Sequence, residues 1–256
     1  MRHTIQQQCD LLAKATFPVF LGIHARGEKQ PGAHEALVRG KPGAKQSSAH
    51  DIFSVARKHG FEGLLSATLR EKALDACGAS RQTLFLNVAS PEIGNEDFIP
   101  SVARLRNLNP TKNIVLEFHE STKLDHEGVP LYWLRKLKDP LQELNVSLAL
   151  DDFGAGMDRL SAIFSAEFHY IKFDMALIRH LDLKPLRFRR GLQCLLELTH
   201  SHGAIAIAEG VQSAGEAEAC WDLGFDLEQG FFFGHPVPAE RDSTFSLRHP
   251  AVFAPQ

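Results

Sequence analysis

The chain alternates short apolar runs that end in a polar residue with longer amphipathic stretches, almost from one end to the other. Thr83–Asn87 (TLFLN), Asn113–Glu117 (NIVLE), Val146–Asp152 (VSLALDD), Phe168–Lys172 (FHYIK), Ala204–Glu209 (AIAIAE) and Asp226–Gln229 (DLEQ) carry the pattern. Pro18–Ile23 (PVFLGI) and His34–Arg39 (HEALVR) precede them. Apolar runs of this length, bounded by turn residues, read as buried strands. Helical periodicity covers Ala49–His59, Gly63–Ala76 and stretches near 128–142, 157–165, 187–201 and 213–223. Strands alternating with helices make βα units and a parallel sheet. About eight strands in 256 residues favour a closed α/β barrel over an open sheet. Residues 1–16 read as a polar helical lead-in, Arg26–Gly32 as a turn, and the tail from about 241 as a surface segment. Internal repeats, low-complexity segments and linkers are absent from the sequence, so residues 1–256 are expected to form a single domain.

In such a barrel the C-terminal strand ends form the active face. The stretch SLALDDFGAG, Ser147–Gly156, sends a short strand into Asp151 and Asp152. Adjacent residues point different ways, so two carboxylates can flank one point from two sides. Gly154 and Gly156 permit a tight backbone approach behind them. A DD turn that caps the following helix would leave the same trace. The other strand ends offer Glu35, Asn87, Glu117, Lys172, Glu209 and Gln229. Taken singly, each has a structural explanation: a helix cap, a turn former, or an ion pair such as Lys172 with Asp174. Together they are carboxylates and amide oxygens with no Cys or His, a hard donor set that selects Mg²⁺ or Mn²⁺ over zinc. Five carboxylates around one point repel unless about two divalent ions neutralise them. One aspartate bridging two ions about 4 Å apart suits in-line attack by water on phosphorus. Lys172 would add positive charge beside the water or the phosphate, and Gln229 can orient a water without titrating. Spacing alone leaves the metal and the structural readings both open.

Composition narrows the function classes. The 28 Lys and Arg balance 31 Asp and Glu, which argues against coating a nucleic-acid polymer, a task that needs a basic face. No leading apolar segment and no run of about 18 apolar residues are present, so no membrane contact is expected. Cys9, Cys77, Cys194 and Cys220 are scattered, which argues against a disulfide framework or a zinc site and for a reduced, cytoplasmic protein. The 13 histidines do not cluster at ligand spacing; His200 and His202 read as a solvated helix end.

HEALVRG, LNVAS, VLEFHES, LALDDFGAG, YIKFD, AIAEGV and EQGFFFGHPVPA follow one another in that order. Together they resemble the EAL-domain phosphodiesterases of bacterial cyclic di-GMP signalling, over about residues 17–240. The resemblance implies a modified TIM (β/α)8 barrel with one antiparallel strand. It implies hydrolysis of cyclic di-GMP to linear pGpG with two Mg²⁺ or Mn²⁺ ions. Glu35, Asn87, Glu117 and Asp151 would hold one ion; Asp151, Asp152 and Glu209 the other. Lys172 and Gln229 would contact the nucleophilic water or its partners. Glu120 resembles the residue that secures the loop after the DD strand. Arg39 resembles a phosphate contact, and Leu37 would lie beside the nucleotide.

Three positions depart from the family pattern. Leu21 stands where a glutamine is usual, Gly40 where a tryptophan often follows the arginine, and Gln212 where a second acid is usual. They bear on affinity or dimer coupling rather than on metal binding. No diguanylate cyclase, receiver or sensory domain fits in this length, so regulation is expected from a homodimer or a separate partner chain. The alternatives are a cyclic di-GMP receptor or protein-interaction module with little turnover, and a different metal-dependent phosphoesterase.

Overall fold

The computed structural model describes residues 4–78, 82–119, 130–155 and 168–239, the side chains of 130–135 excepted. Its strands are β1 (Thr16–Ala25), β2 (Ala33–Gly40), β3 (Thr83–Val88), β4 (Ile114–His119), β5 (Val146–Phe153), β6 (Tyr170–Phe173), β7 (Ile205–Ala208), β8 (Leu227–Gln229) and β9 (Val237–Pro238). β1 to β8 close into a ring, because β1 is hydrogen-bonded to β2 on one side and to β8 on the other. Every neighbouring pair from β2 to β8 is parallel, and β1 runs antiparallel to both of its neighbours. The cause is local. Residues 26–32 join β1 to β2 and are too few for the crossover of a dozen or more residues that a parallel pair needs, so the chain must reverse. β9 pairs with Val19 and Phe20 on the edge of β1 that β8 meets further along. The expected barrel with one antiparallel strand is therefore present.

The helices are α1 (Ile5–Lys14), α2 (Ala49–Lys58), α3 (Glu62–Cys77), α4 (Phe98–Leu108), α5 (Pro130–Glu143), α6 (Met175–Ile178), α7 (Leu186–Ser201) and α8 (Ala214–Leu223). Capping boxes start α1 at Thr4 with Gln7 and α2 at Ser48 with Asp51. α4 has no counterpart in the sequence reading. Pro100 interrupts its pattern, but in a first turn the missing N–H has no partner to lose. His200 and His202 do lie at an exposed helix end, where His200 Nε2 meets Asp226 Oδ2 at 2.8 Å. Gly156, the stretch 157–165 and the tail from 241 lie outside the described residues.

Strand alternation divides the core in two. Outward residues such as Leu84, Leu116, Leu148 and Phe173 meet the helices, among them Val102, Leu105 and Leu192. Ile23, Ala33, Phe85, Val115, Ala149 and Ile207 fill the barrel interior. A third cluster, with Cys9, Leu12, Ile52, Ala56 and Leu65, binds α1 to α2 and α3.

Glu228 breaks the outward apolar pattern of β8. It is fully buried, and neither carboxylate oxygen has a hydrogen-bond partner. Burial pushes its carboxyl up to about 8, with Arg26 partly opposing. A carboxyl raised in the folded state gives its full stability below the unfolded value, and that stability is lost as pH rises through the folded value. Glu228→Gln should therefore gain stability relative to wild type as pH rises from about 5 to about 8, with little further change above that. Urea unfolding at both values checks this, and an unchanged difference would contradict it.

Candidate active site

Each strand that carries a candidate site residue carries it two positions after an inward residue. Ala33 precedes Glu35, Phe85 precedes Asn87, Val115 precedes Glu117 and Ala149 precedes Asp151. Tyr170 precedes Lys172, Ile207 precedes Glu209 and Leu227 precedes Gln229. The period-two rule thus turns all seven toward the barrel axis, one step above the apolar filling.

They meet at Lys172. Its ammonium is fully buried and lies 2.6 Å from Glu117 Oε1, 2.8 Å from Glu209 Oε1, 2.9 Å from Asp151 Oδ1 and 3.4 Å from Glu35 Oε2. Glu35 is also held by Asn87 Nδ2, which donates to Oε1 at 3.3 Å, and by Gln229 Nε2, which donates to Oε2. Burial disfavours the charge on Lys172, but Asp151, Glu117, Glu209 and Glu35 overcome it and hold its pKa well above the ordinary lysine value. Burial pushes Glu117 and Glu209 well up. Lys172 opposes the rise in both; Glu35 and Asp151 reinforce it. One cation is too little for this many acids. Glu117 Oε2 and Gln229 Oε1 are buried without a hydrogen-bond partner.

Asp152 arrives by a different route. Alternation would turn it away from Asp151. Along β5 and β6 the pairs Leu150↔Ile171 and Phe153↔Phe173 enclose two residues on one strand and only Lys172 on the other, a bulge. Asp152 takes φ +55°, and its carboxylate comes round: oxygens of Asp151, Asp152 and Glu209 lie within 4.8 Å of one another. Gly154 follows at φ +96°, with Leu177 so close that a Cβ there would stand 2.4 Å from its Cδ1. The DD segment is thus a bulged strand end, not simply a cap. His119, inward by the same alternation as Glu117, pairs its Nε2 with Asp152 Oδ2. That hydrogen bond holds the Asp152 carboxyl below its usual range, against the opposing effect of burial.

Beneath Asn87 lies a buried network that sequence gave no sign of. Arg70 Nη2 meets Glu92 Oε2 at 2.5 Å, and Arg70 Nη1 donates to Glu92 Oε1 at 2.8 Å and to the Asn87 carbonyl at 3.2 Å. Partners this far apart in the chain have no common period to reveal them. His119 could have been found, because it continues the alternation Val115, Glu117, His119.

A cleft of about 540 Å³ opens beside Glu35 and Asn87, where β2 parts from β3 after Ala36. Leu37, Val38, His50, Phe53, Leu69 and His119 are among its walls. Leu37 therefore lies next to the acidic cage. Arg39 does not join it: its Nη1 donates to the Val38 carbonyl at 2.8 Å, and the residue lines no part of the cleft. Glu120 lies outside the described residues.

Residues 4–236 match the family model described as EAL domain. The chain belongs to the EAL domain family. Among curated proteins it is similar to the cyclic di-GMP phosphodiesterase RocR of Pseudomonas aeruginosa, 24% identical over 159 residues, covering 61% of this chain and 39% of RocR. It is also similar to the signaling protein YkoW of Bacillus subtilis, 27% identical over 168 residues, covering 65% of this chain and 20% of YkoW. The chain spans less than two fifths of the length of the curated relatives it matches. Its fold is that of the FimX EAL domain from Pseudomonas aeruginosa bound to c-di-GMP, with TM-score 0.79 and 19% identity, covering 94% of this chain and 98% of that one.

Two of the three departures from the EAL pattern have local causes. A Cβ at Gly40 would stand 1.8 Å from the Gln46 carbonyl oxygen, and the Gly40 N–H donates to Ser47 O at 3.0 Å, so no tryptophan fits this turn. Gln212 is exposed and acts through its backbone N–H, which donates to Glu216 at 2.7 Å. Leu21 sits across from Glu35 on β1. The acidic cage fits hard divalent cations: all its donors are oxygens, and two buried oxygens await a partner.

Raised carboxyls make the metal-free protein lose stability with alkali. Glu117 and Glu209 give their full contribution below the unfolded value of about 4.3 and lose it as pH rises through their folded values. In chelator, the urea midpoint should fall between about pH 5 and about pH 8, and Mn²⁺ should flatten that fall. A chelated midpoint that rises over this range would contradict it.

Proposed function

We propose that this chain is a divalent-metal-dependent phosphodiesterase, which opens cyclic di-GMP to linear pGpG in the cytoplasm. The observation that carries the reading is the undepleted acidic cage: every strand end that would ligate an ion still has an oxygen donor. Glu35, Asn87, Glu117 and Asp151 would hold one Mg²⁺ or Mn²⁺; Asp151, Asp152 and Glu209 would hold the second. Bound there, the ions would supply Lewis acidity and a water of lowered pKa. Lys172 keeps its positive charge at the point where charge builds on phosphorus, in a site with little water. Gln229, fixed on Glu35, can hold a water without titrating. Leu37 and the walls of the cleft would receive one base of the nucleotide, and Arg39 would turn outward to meet a phosphate. Glu120 would secure the segment after the DD strand. The likeness to RocR and to the c-di-GMP-bound FimX domain supports the substrate class.

The domain core would span about 17–240, with regulation supplied by a second copy or by a separate chain. A cyclic di-GMP receptor is the second reading. It is favoured by Lys172, whose ammonium already neutralises part of the cage and lets the fold stand without ions.

Purified protein, Mn²⁺ and cyclic di-GMP, with products followed by chromatography, decide between the two. Linear product from wild type is expected. Asp151→Asn should abolish nearly all turnover, and Lys172→Ala should slow it about 10²-fold or more while metal binding persists. Tight binding in chelator with no linear product would leave only the receptor. Calcium should bind yet support little hydrolysis, because it is larger and accepts looser geometry than Mg²⁺; equal rates with both ions would overturn the two-ion account.

A further inference from the structure

We propose that His119 is a positioning residue for Asp152: its ring N–H ties down one carboxylate oxygen and leaves the other for the ion shared with Asp151 and Glu209. The inference rests on the metal reading above and adds a residue to it. Of the acids in the cage, Asp152 has the least regular support. It stands in a bulge, at φ +55°, on a short side chain that strand alternation would direct elsewhere. Lys172 fixes Glu35, Glu117, Asp151 and Glu209 by direct contact, but Asp152 is not among the acids it touches. Asp174 also hydrogen-bonds Asp152, but the leading contact comes from the next strand. β4 pairs in register with β5, His119 opposite Asp151, so the imidazole reaches one residue along to Asp152 Oδ2.

A ligating carboxylate with one oxygen already hydrogen-bonded has lost most of its rotational freedom before the ion arrives. Partners of this kind typically contribute about 10–100-fold to metal affinity. The His119 side chain is 45% exposed, so its replacement opens no hole in the core. It also lines the cleft, which places the tether between the nucleotide's entry and the second ion.

The test is a Mn²⁺ titration by calorimetry on the full chain stripped with chelator. Wild type should take up two ions, and Asp152→Asn should weaken one of them. His119→Ala should weaken that same ion by about 10–100-fold and leave the other unchanged. His119→Gln can place an amide N–H near the same oxygen and should restore most of the affinity. Chelated His119→Ala should melt as wild type does, since a merely structural residue would lower the melting point without choosing between ions. Two wild-type affinities in His119→Ala, alongside a weakened ion in Asp152→Asn, would overturn the inference and leave the metal reading intact. Equal weakening of both ions, or no rescue by glutamine, would also overturn it. A wild type that takes up no Mn²⁺ would overturn the metal reading itself and the inference with it.

Discussion

Lys172 Nζ lies within 3.4 Å of carboxylates from four different parts of the ring, and water does not reach it. Ions taken this far out of water are tolerable only when paired, and removing one partner leaves an uncompensated charge. Here the pairing is many to one. The ammonium draws β2, β4, β5 and the residue after β7 to one point at the barrel mouth, and the excess of acid leaves that point short of positive charge. Burial raises Glu117 and Glu209, the excess of acid adds to the rise, and both make an added divalent cation favourable.

The barrel serves this centre in two ways. Parallel strands deliver their C-terminal ends to one face, and alternation keeps apolar filling one step below each polar group. Phe85, Val115, Ala149 and Ile207 form a dry floor. Above that floor, among the described residues, the cleft beside Glu35 and Asn87 opens to solvent. The low dielectric beneath strengthens every charge contact in the cage.

Two irregularities then finish the site. The short connection between β1 and β2 forces one strand to reverse, and β2 separates from β3 beyond Ala36. That separation makes room for the cleft. The β5 bulge brings Asp152 round to Asp151 and Glu209, with His119 holding it from the neighbouring strand. Arg70 and Glu92 do similar work beneath Asn87, where they tie its carbonyl to α3.

The sequence by itself determined the eight strands of the ring, most of the helices and the inward set from Glu35 to Gln229, because these follow short periods: two along a strand, 3.6 along a helix. Ordered motifs added the family, the antiparallel strand and the chemistry expected of it. The helix Phe98–Leu108 escaped because Pro100 breaks a local pattern that a first helical turn tolerates. Only the tertiary structure decided that Lys172 sits at the centre of the acids, since their distance along the chain says nothing of distance in space. It also decided the bulge that recruits Asp152, the pairing of Arg70 with Glu92, the burial of Glu228 and the hydrogen bond from His119. Each of these depends on how separate strands are staggered against one another, and the stagger is set by closing the ring, not by any one stretch of the chain.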